Sequence, residues 1–133
     1  MKAQEKIKFD HVAIHTKKEL MQETVNFYRR FLNGTVLFQD ETWSLIEGSG
    51  VKIALVVPEQ HPVHTGFVIS DEEYIELLMQ GKVFKKHRDG SKSVYIKDPS
   101  GNSVELLYWE KSKLQKIKET ASKKVKSFVK RVL

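Results

Sequence analysis

The sequence predicts an α+β fold built from two βαβββ modules in one chain, followed by a basic amphipathic helix. Three observations predict it. A histidine opens a strand-like apolar run twice, first as His11-Val12-Ala13-Ile14 and then as His64-Thr65-Gly66-Phe67-Val68-Ile69. Each run leads into a helix-like segment and then into short strand-like pieces separated by turn formers. The 133 residues suffice for one ordinary hydrophobic core and not for two comfortable domains. One domain is therefore expected over residues 1–110, with modules at about 7–57 and 63–109, and residues 111–133 form an appended tail.

Each element has its own local signal. Ile7 to His15 alternates and is rich in β-formers, which predicts a strand. Thr16 is a candidate N-cap for a helix over about Lys17 to Leu32, whose apolar face is supplied by Leu20, Val25, Phe27, Tyr28, Phe31 and Leu32, and Asn33-Gly34 stops it. Strands are predicted at Thr35–Gln39, Thr42–Glu47 and Val51–Val57, divided by Asp40-Glu41 and Gly48-Ser49-Gly50. The second half repeats the order. Val63–Ile69 is a strand, Ser70 or Asp71 caps a helix through about Met79, and Gly81 ends it. Strands follow near Val83–Lys86, Ser93–Lys97 and Ser103–Trp109, with turns at Asp89-Gly90 and Pro99-Ser100-Gly101-Asn102. A copy of about 50 residues cannot bury its sheet face alone, so the modules should pack on each other or on another chain.

Composition narrows the chemistry. No run approaches the ~20 apolar residues of a membrane span, and Met1 to Lys8 is charged without a signal-peptide core behind it, so a cytosolic protein is expected. The chain has no cysteine, which excludes a disulfide framework, a thiolate nucleophile and a sulfur-ligated metal. Any metal must sit on nitrogen and oxygen. The net charge of +6 is not spread evenly: the tail carries nine Lys or Arg against Glu119 alone, while the rest carries 14 bases and 16 acids. The charge is thus an appended feature, and nucleic acid is not the expected partner of the domain.

His11, His64 and Glu105, the last a carboxylate in the otherwise apolar strand Val104-Glu105-Leu106-Leu107, are a set that can hold a metal ion. A buried acid with neither metal nor cation beside it would cost roughly several kcal/mol if charged. The competing reading is a degenerate site that binds a ligand without metal.

Asp10-His11-Val12-Ala13-Ile14, Asn26-Phe27-Tyr28 ahead of Gly34, His64-Thr65-Gly66-Phe67, and Tyr95 through Asp98-Pro99-Ser100-Gly101-Asn102 to Glu105-Leu106 resemble the vicinal oxygen chelate superfamily over about residues 7–110. That superfamily includes glyoxalase I, fosfomycin-resistance thiol transferases, extradiol dioxygenases and metal-free bleomycin-binding proteins. The resemblance implies curved mixed sheets around a metal held by His11, His64 and Glu105. It implies a divalent ion, with Fe2+ or Mn2+ favoured and Zn2+, Ni2+ or Co2+ compatible, and a small oxygen-bearing substrate. Superposing the copies sets Ala54 against Glu105, so the fourth, acidic ligand of glyoxalase I-like members has no counterpart and that isomerase is disfavoured. A fosfomycin-resistance-like transferase or lyase and a dioxygenase stay open, beside a metal-free sequestering protein of the bleomycin-resistance type. Tyr95 resembles a pocket-lining tyrosine whose hydroxyl could donate to a bound oxyanion, with core packing as the alternative.

Alternation puts His15 on the face of His11, as a candidate catalytic base or a half-exposed strand end. His61 and His87 fall in loops and are expected to be solvated. Trp43, Tyr108 and Trp109 read as sheet or interface aromatics. The loop Lys86–Ser93 is short and basic and would border a pocket, which hints at an anionic ligand. Neutral imidazoles are needed for ligation, so activity should fall below about pH 6 to 7. In the tail, Leu114, Ile117, Ala121, Val125, Phe128 and Val132 recur at steps of three and four, an amphipathic stripe that favours packing on the domain or a partner over membrane-surface contact. Unpaired sheet edges and that stripe predict a homodimer.

Overall fold

The computed structural model describes residues 6–110, 121 and 123–126. Within them the chain runs β1 (Ile7–His15), a 3-10 turn (Lys18–Leu20), α1 (Met21–Phe31), β2 (Thr35–Gln39), β3 (Trp43–Gly48), β4 (Val51–Val56), β5 (His64–Ile69), α2 (Asp71–Met79), β6 (Lys85–Lys86), β7 (Ser91–Lys97) and β8 (Ser103–Trp109). This is the predicted α+β order, βαβββ written twice. The strands form a single mixed sheet in the order β2-β3-β4-β1-β5-β8-β7-β6. Inside each module the first and last strands are parallel, β1 with β4 and β5 with β8. The modules are joined by antiparallel pairing of β1 with β5, from Ile7 opposite Ile69 to Ala13 opposite His64. The two copies therefore complete each other's sheet within one chain.

The two sheet faces differ. On one, α1 lays Met21 and Val25 over Ile46, Leu55 and Val57, closing an aliphatic core that Ile14, Tyr28, Val36 and Ile53 border. On the other, Ala13, Ala54 and Val56 are buried, with Trp43 and Leu45 packed beside them. The helix of the second module sits differently. No residue of α2 is buried, and it is held by a stack of Tyr74 on Tyr108, ring centroids 3.8 Å apart, with the Tyr108 hydroxyl donating to Asp71 at 2.8 Å.

Several local expectations shift. Thr16 does not cap the first helix: its N–H donates to the Val56 carbonyl at 2.9 Å, so the chain leaves β1 still tied to β4, and Lys17 begins the 3-10 turn without a side-chain cap. Ser70 does cap α2, its hydroxyl accepting from the Glu73 N–H at 3.2 Å. After α1 it is Asn33, at φ 48°, that turns the chain into the left-handed region. Gly34 is needed for space instead, because a Cβ there would lie 2.7 Å from the Glu47 carbonyl oxygen. β6 shrinks to two residues, while β7 starts at Ser91. The tail helix lies mostly outside the described residues; of its stripe, Ala121 and Val125 are described and both are exposed, Val125 by 61%. No helix among the described residues is long and apolar enough to cross a membrane.

Because Leu55 is fully buried in the α1 core, Leu55→Ala should cost roughly 2–5 kcal/mol of stability in urea unfolding. Val51→Ala, on the same strand but 40% exposed, should change it by less than about 0.5 kcal/mol.

Candidate metal centre

The β1–β5 seam builds the site. His11 lies opposite Gly66 across that seam, Gly66 lies opposite Glu105 in β8, and Glu105 lies opposite Tyr95 in β7. Side chains in register across a sheet share a face, so one row carries an imidazole, a gap, a carboxylate and a phenol. His64, two residues before Gly66, points to the same face. The gap is what lets the row close. A Cβ at Gly66 would fall 2.1 Å from His11 Cε1 and 2.7 Å from its Nε2, so only glycine lets that ring lie across β5.

The outcome is a compact triangle of donor atoms. His11 Nε2 is 3.2 Å from His64 Nε2 and 3.4 Å from Glu105 Oε1, and His64 Nε2 is 3.6 Å from the same oxygen. The three residues are buried, between 7% and 8% exposed. An ion with bonds of about 2.1 Å separates neighbouring ligand atoms by about 3.0 Å in octahedral and about 3.4 Å in tetrahedral geometry. The triangle fits one such ion, and it is the one group of three or more potential ligands among the described residues.

Both rings are oriented from behind. His64 Nδ1–H donates to the Pro62 carbonyl at 2.9 Å, which leaves its Nε2 lone pair facing the triangle. His11 Nδ1–H donates to Asp10 Oδ2 at 2.9 Å, and Lys52 holds the other Asp10 oxygen at 3.3 Å. Outer partners of this kind fix tautomer and ring angle in metal-binding histidines. They also set charge. Burial disfavours the charged form of His11, but the Asp10 and Glu105 carboxylates outweigh it and raise its pKa to about 9. Burial likewise opposes charge on Glu105, and its contacts with His11 first and His64 second hold it well below the usual carboxylate range. A protonated His11 would direct its Nε2–H toward His64 Nε2 at 3.2 Å and Glu105 Oε1 at 3.4 Å. An ion at the triangle would have to displace that proton, which would move the acid limit for its binding above the pH 6 to 7 expected from an ordinary histidine.

The other candidates separate. Tyr95 reaches the site: burial first, then the Glu105 charge, push its hydroxyl pKa upward, so it stays protonated as a donor, and its ring meets His64 edge-on at 5.2 Å. His15 does not reach it. Four residues along β1 from His11 means about 13 Å of strand, and its Nε2–H donates to the His61 carbonyl at 2.8 Å. A role as catalytic base finds no support in that position. His87, expected to be solvated, is half-buried and shares a 2.6 Å hydrogen bond with Ser93. Asp10, Lys52 and Gly66 were not legible as site residues. A glycine inside a strand pattern is the signal that would have marked Gly66 as a point of close approach. A groove of about 750 Å³ lies elsewhere, between α1 and β2, and is rimmed by solvated groups such as Lys18, Gln39 and Glu41.

No protein-family model and no curated protein matches this chain. Solved structures do. A glyoxalase/bleomycin resistance protein/dioxygenase superfamily member from Vibrio splendidus 12B01 superposes with a TM-score of 0.56 at 12% identity, over 77% of this chain and 98% of that one. The 2,2',3-trihydroxybiphenyl 1,2-dioxygenase of Sphingomonas wittichii strain RW1 gives 0.58 at 12% identity, over 80% and 42%. An extradiol ring-cleaving dioxygenase from B. fuscum gives 0.58 at 14%, over 80% and 34%. This chain thus spans less than half the length of either dioxygenase. At these identities the likeness is one of fold, and the fold is glyoxalase-like.

Two outcomes follow from the site's construction. Gly66→Ala should displace the His11 ring and destabilise the protein by about 1–3 kcal/mol in chemical denaturation. The raised His11 pKa stabilises the metal-free fold below the unfolded value of about 6.5, and this is lost as pH rises through about 9. The lowered Glu105 pKa stabilises above about 4.5, and this is lost as pH falls. Melting temperatures of metal-free protein should peak between about pH 4.5 and 6.5, and His11→Gln should remove the alkaline decline.

Proposed function

We propose that the chain is a divalent-metal-dependent enzyme of the vicinal oxygen chelate type, acting on a small oxygen-bearing molecule, with His11 Nε2, His64 Nε2 and Glu105 Oε1 as ligands. The observation that carries this reading is the buried triangle with 3.2 to 3.6 Å edges, each imidazole aimed by a hydrogen bond on its far nitrogen. A bound ion would act as a Lewis acid toward two neighbouring substrate oxygens. The ligand set suits Fe2+ or Mn2+ best and is compatible with Zn2+, Ni2+ or Co2+. The chain's own part is to hold the rings in place through Asp10 and Pro62 and to present the protonated Tyr95 hydroxyl as a donor to a developing oxyanion. Ala54, in the place that mirrors Glu105, supplies no fourth acid, which supports a transferase or lyase of the fosfomycin-resistance kind or a dioxygenase over a glyoxalase I isomerase. The dioxygenases that share the fold are consistent with the ring-cleaving branch.

A second reading has its own observation. His11 Nε2 and His64 Nε2 lie within hydrogen-bond distance of each other at 3.2 Å, so a proton on His11 would satisfy the triangle with no ion present, as a metal-free binding protein of the bleomycin-resistance type would need. The absence of cysteine supports a cytoplasmic setting. Unpaired edges at β2 and β6, with Ile7, Phe9 and Val63 each about half exposed, support a homodimer. Light scattering that returns a monomer at micromolar concentration would remove it.

Metal analysis separates enzyme from binding protein. Purified protein should hold about one divalent ion per chain, and His64→Ala should lose it with the fold intact. Glu105→Gln should also lose the ion. Binding at pH 7 should release about one proton, since His11 must give up its Nε2 proton, and affinity should climb about tenfold per pH unit toward pH 9. Calorimetry in buffers of different ionisation enthalpy reads the proton count. Unchanged metal content in both variants, or binding without proton release, would count against the ligand assignment.

A further inference from the structure

The helix side of the sheet is not closed over its centre. Ile14 borders the α1 core, and Val12, on the same side, lies opposite Thr65, so alternation puts Phe67, Leu106 and Tyr108 on that side too. Tyr108 stacks on Tyr74 of α2. Both helices therefore flank one strip along β1 and β5. Its floor is Phe9 against Phe67, rings edge to face at 5.6 Å, with Phe9 turned to this side by the bulge between Phe9 and His11. Phe9 and Ile7 are each about half exposed.

The walls of the strip differ. On α1, Gln22 is tied to Gln39 of β2 at 2.8 Å, which fixes that flank toward the sheet edge. At about 100° per residue, Phe27 and Phe31 fall on the opposite flank, over the strip. Their rings stack with planes at 8°, and Phe31 is 72% exposed. α2 is acidic instead, with Asp71, Glu72, Glu73 and Glu76 and no base, and it leaves Ile75, Leu78 and Met79 exposed. Four phenylalanine rings beside a line of carboxylates call for a partner that is both apolar and basic. Residues 111–133 have that composition: an apolar stripe at steps of three and four, and nine Lys or Arg against Glu119 alone.

We propose that this strip seats the C-terminal segment, residues 111–133, of a second copy of the chain, each copy giving its segment to the other. The described part of the segment, Ala121 and residues 123–126, is helical and exposed throughout, and Val125 of the stripe is 61% exposed, so it does not lie in its own strip. Segment and strip thus stay open on the same chain, and a twofold exchange closes both at once. β8 delivers the segment to the rim of the strip: the Tyr108 hydroxyl donates to Asp71 at the start of α2, and Ile7 lies opposite Ile69 at that same end. Apolar burial supplies affinity, and pairing of Lys with the α2 carboxylates selects the surface. This interface is independent of the metal site and rests on the homodimer reading above.

Analytical ultracentrifugation of the full chain reads the exchange. The wild type should be a dimer at micromolar concentration, and it should weaken as NaCl rises from about 0.05 to about 0.5 M, because solvent-facing ion pairs are screened. Phe31→Glu should weaken it at least about thirtyfold by spoiling the strip, and Val125→Glu equally by spoiling the segment, with circular dichroism unchanged in both. Mixed one to one, the two variants should associate again, because the Val125→Glu chain keeps an intact strip and the Phe31→Glu chain an intact segment. Misfolded variants would not recover in this way. Leu37→Glu, on the exposed edge strand β2, should leave the dimer unchanged. A dimer that survives both Phe31→Glu and Val125→Glu would overturn the exchange and keep the homodimer. A monomeric wild type would overturn both: equal losses of melting temperature in the two variants would then place the segment in its own chain's strip, and binding to phosphatidylglycerol vesicles would make it a membrane contact.

Discussion

Everything at the site hangs on the antiparallel pairing of β1 with β5. That ladder puts His11 against Gly66 and Ala13 against His64, so each module's histidine stands on ground supplied by the other. The residues beneath the rings are the two smallest available, and the space is used fully: at Gly66 even one carbon would collide with the imidazole. A slip of the ladder by one residue would turn one histidine to the α1 face. The parallel partners β4 and β8 then decide what each half contributes next to the rings, an alanine methyl from one and a carboxylate from the other.

Much of this was legible in the sequence because duplication makes weak signals strong. One histidine at a strand start means little; two at matching places, with a glutamate inside an apolar strand, pointed to the three residues that converge. The match of Ala54 to Glu105 also holds in the sheet register. What was not legible depends on distance and surroundings. Alternation gave His15 the correct face but says nothing of the strand length between it and His11. Thr16 has the chemistry of a cap, yet β4 continues to pair with the chain there and claims its N–H. His87 read as a loop residue because the turn that folds it onto Ser93 leaves no periodic trace. The charge of His11 follows from two carboxylates, one adjacent in sequence and one 94 positions away, and the second is visible only in three dimensions.

The halves have also diverged in how they are held. The first module carries the aliphatic core under α1, with Val25, Ile46 and Leu55 almost wholly enclosed. The second has a helix with no buried residue and relies on aromatic stacking and a tyrosine-aspartate hydrogen bond. Polar side chains are correspondingly concentrated on its inner face, where Ser91, Ser93, Ser103 and Glu105 are buried. One half spends its interior on packing and the other on hydrogen bonds. A fold made of two copies can divide the work in this way because one sheet, joined at β1 and β5, runs through both.

The seam between β1 and β5 also orders events in time. His11 and His64 are 53 positions apart, and Glu105 is a further 41 along, so no fragment shorter than most of the domain contains the three donors. Local hairpins such as β3–β4 can form early, but the donors meet only after the longest-range ladder has closed, a step that carries its own loop-closure cost. A newly made chain would therefore not bring His11, His64 and Glu105 together until β8 had entered the sheet, and closure of the triangle would mark that both copies have found each other.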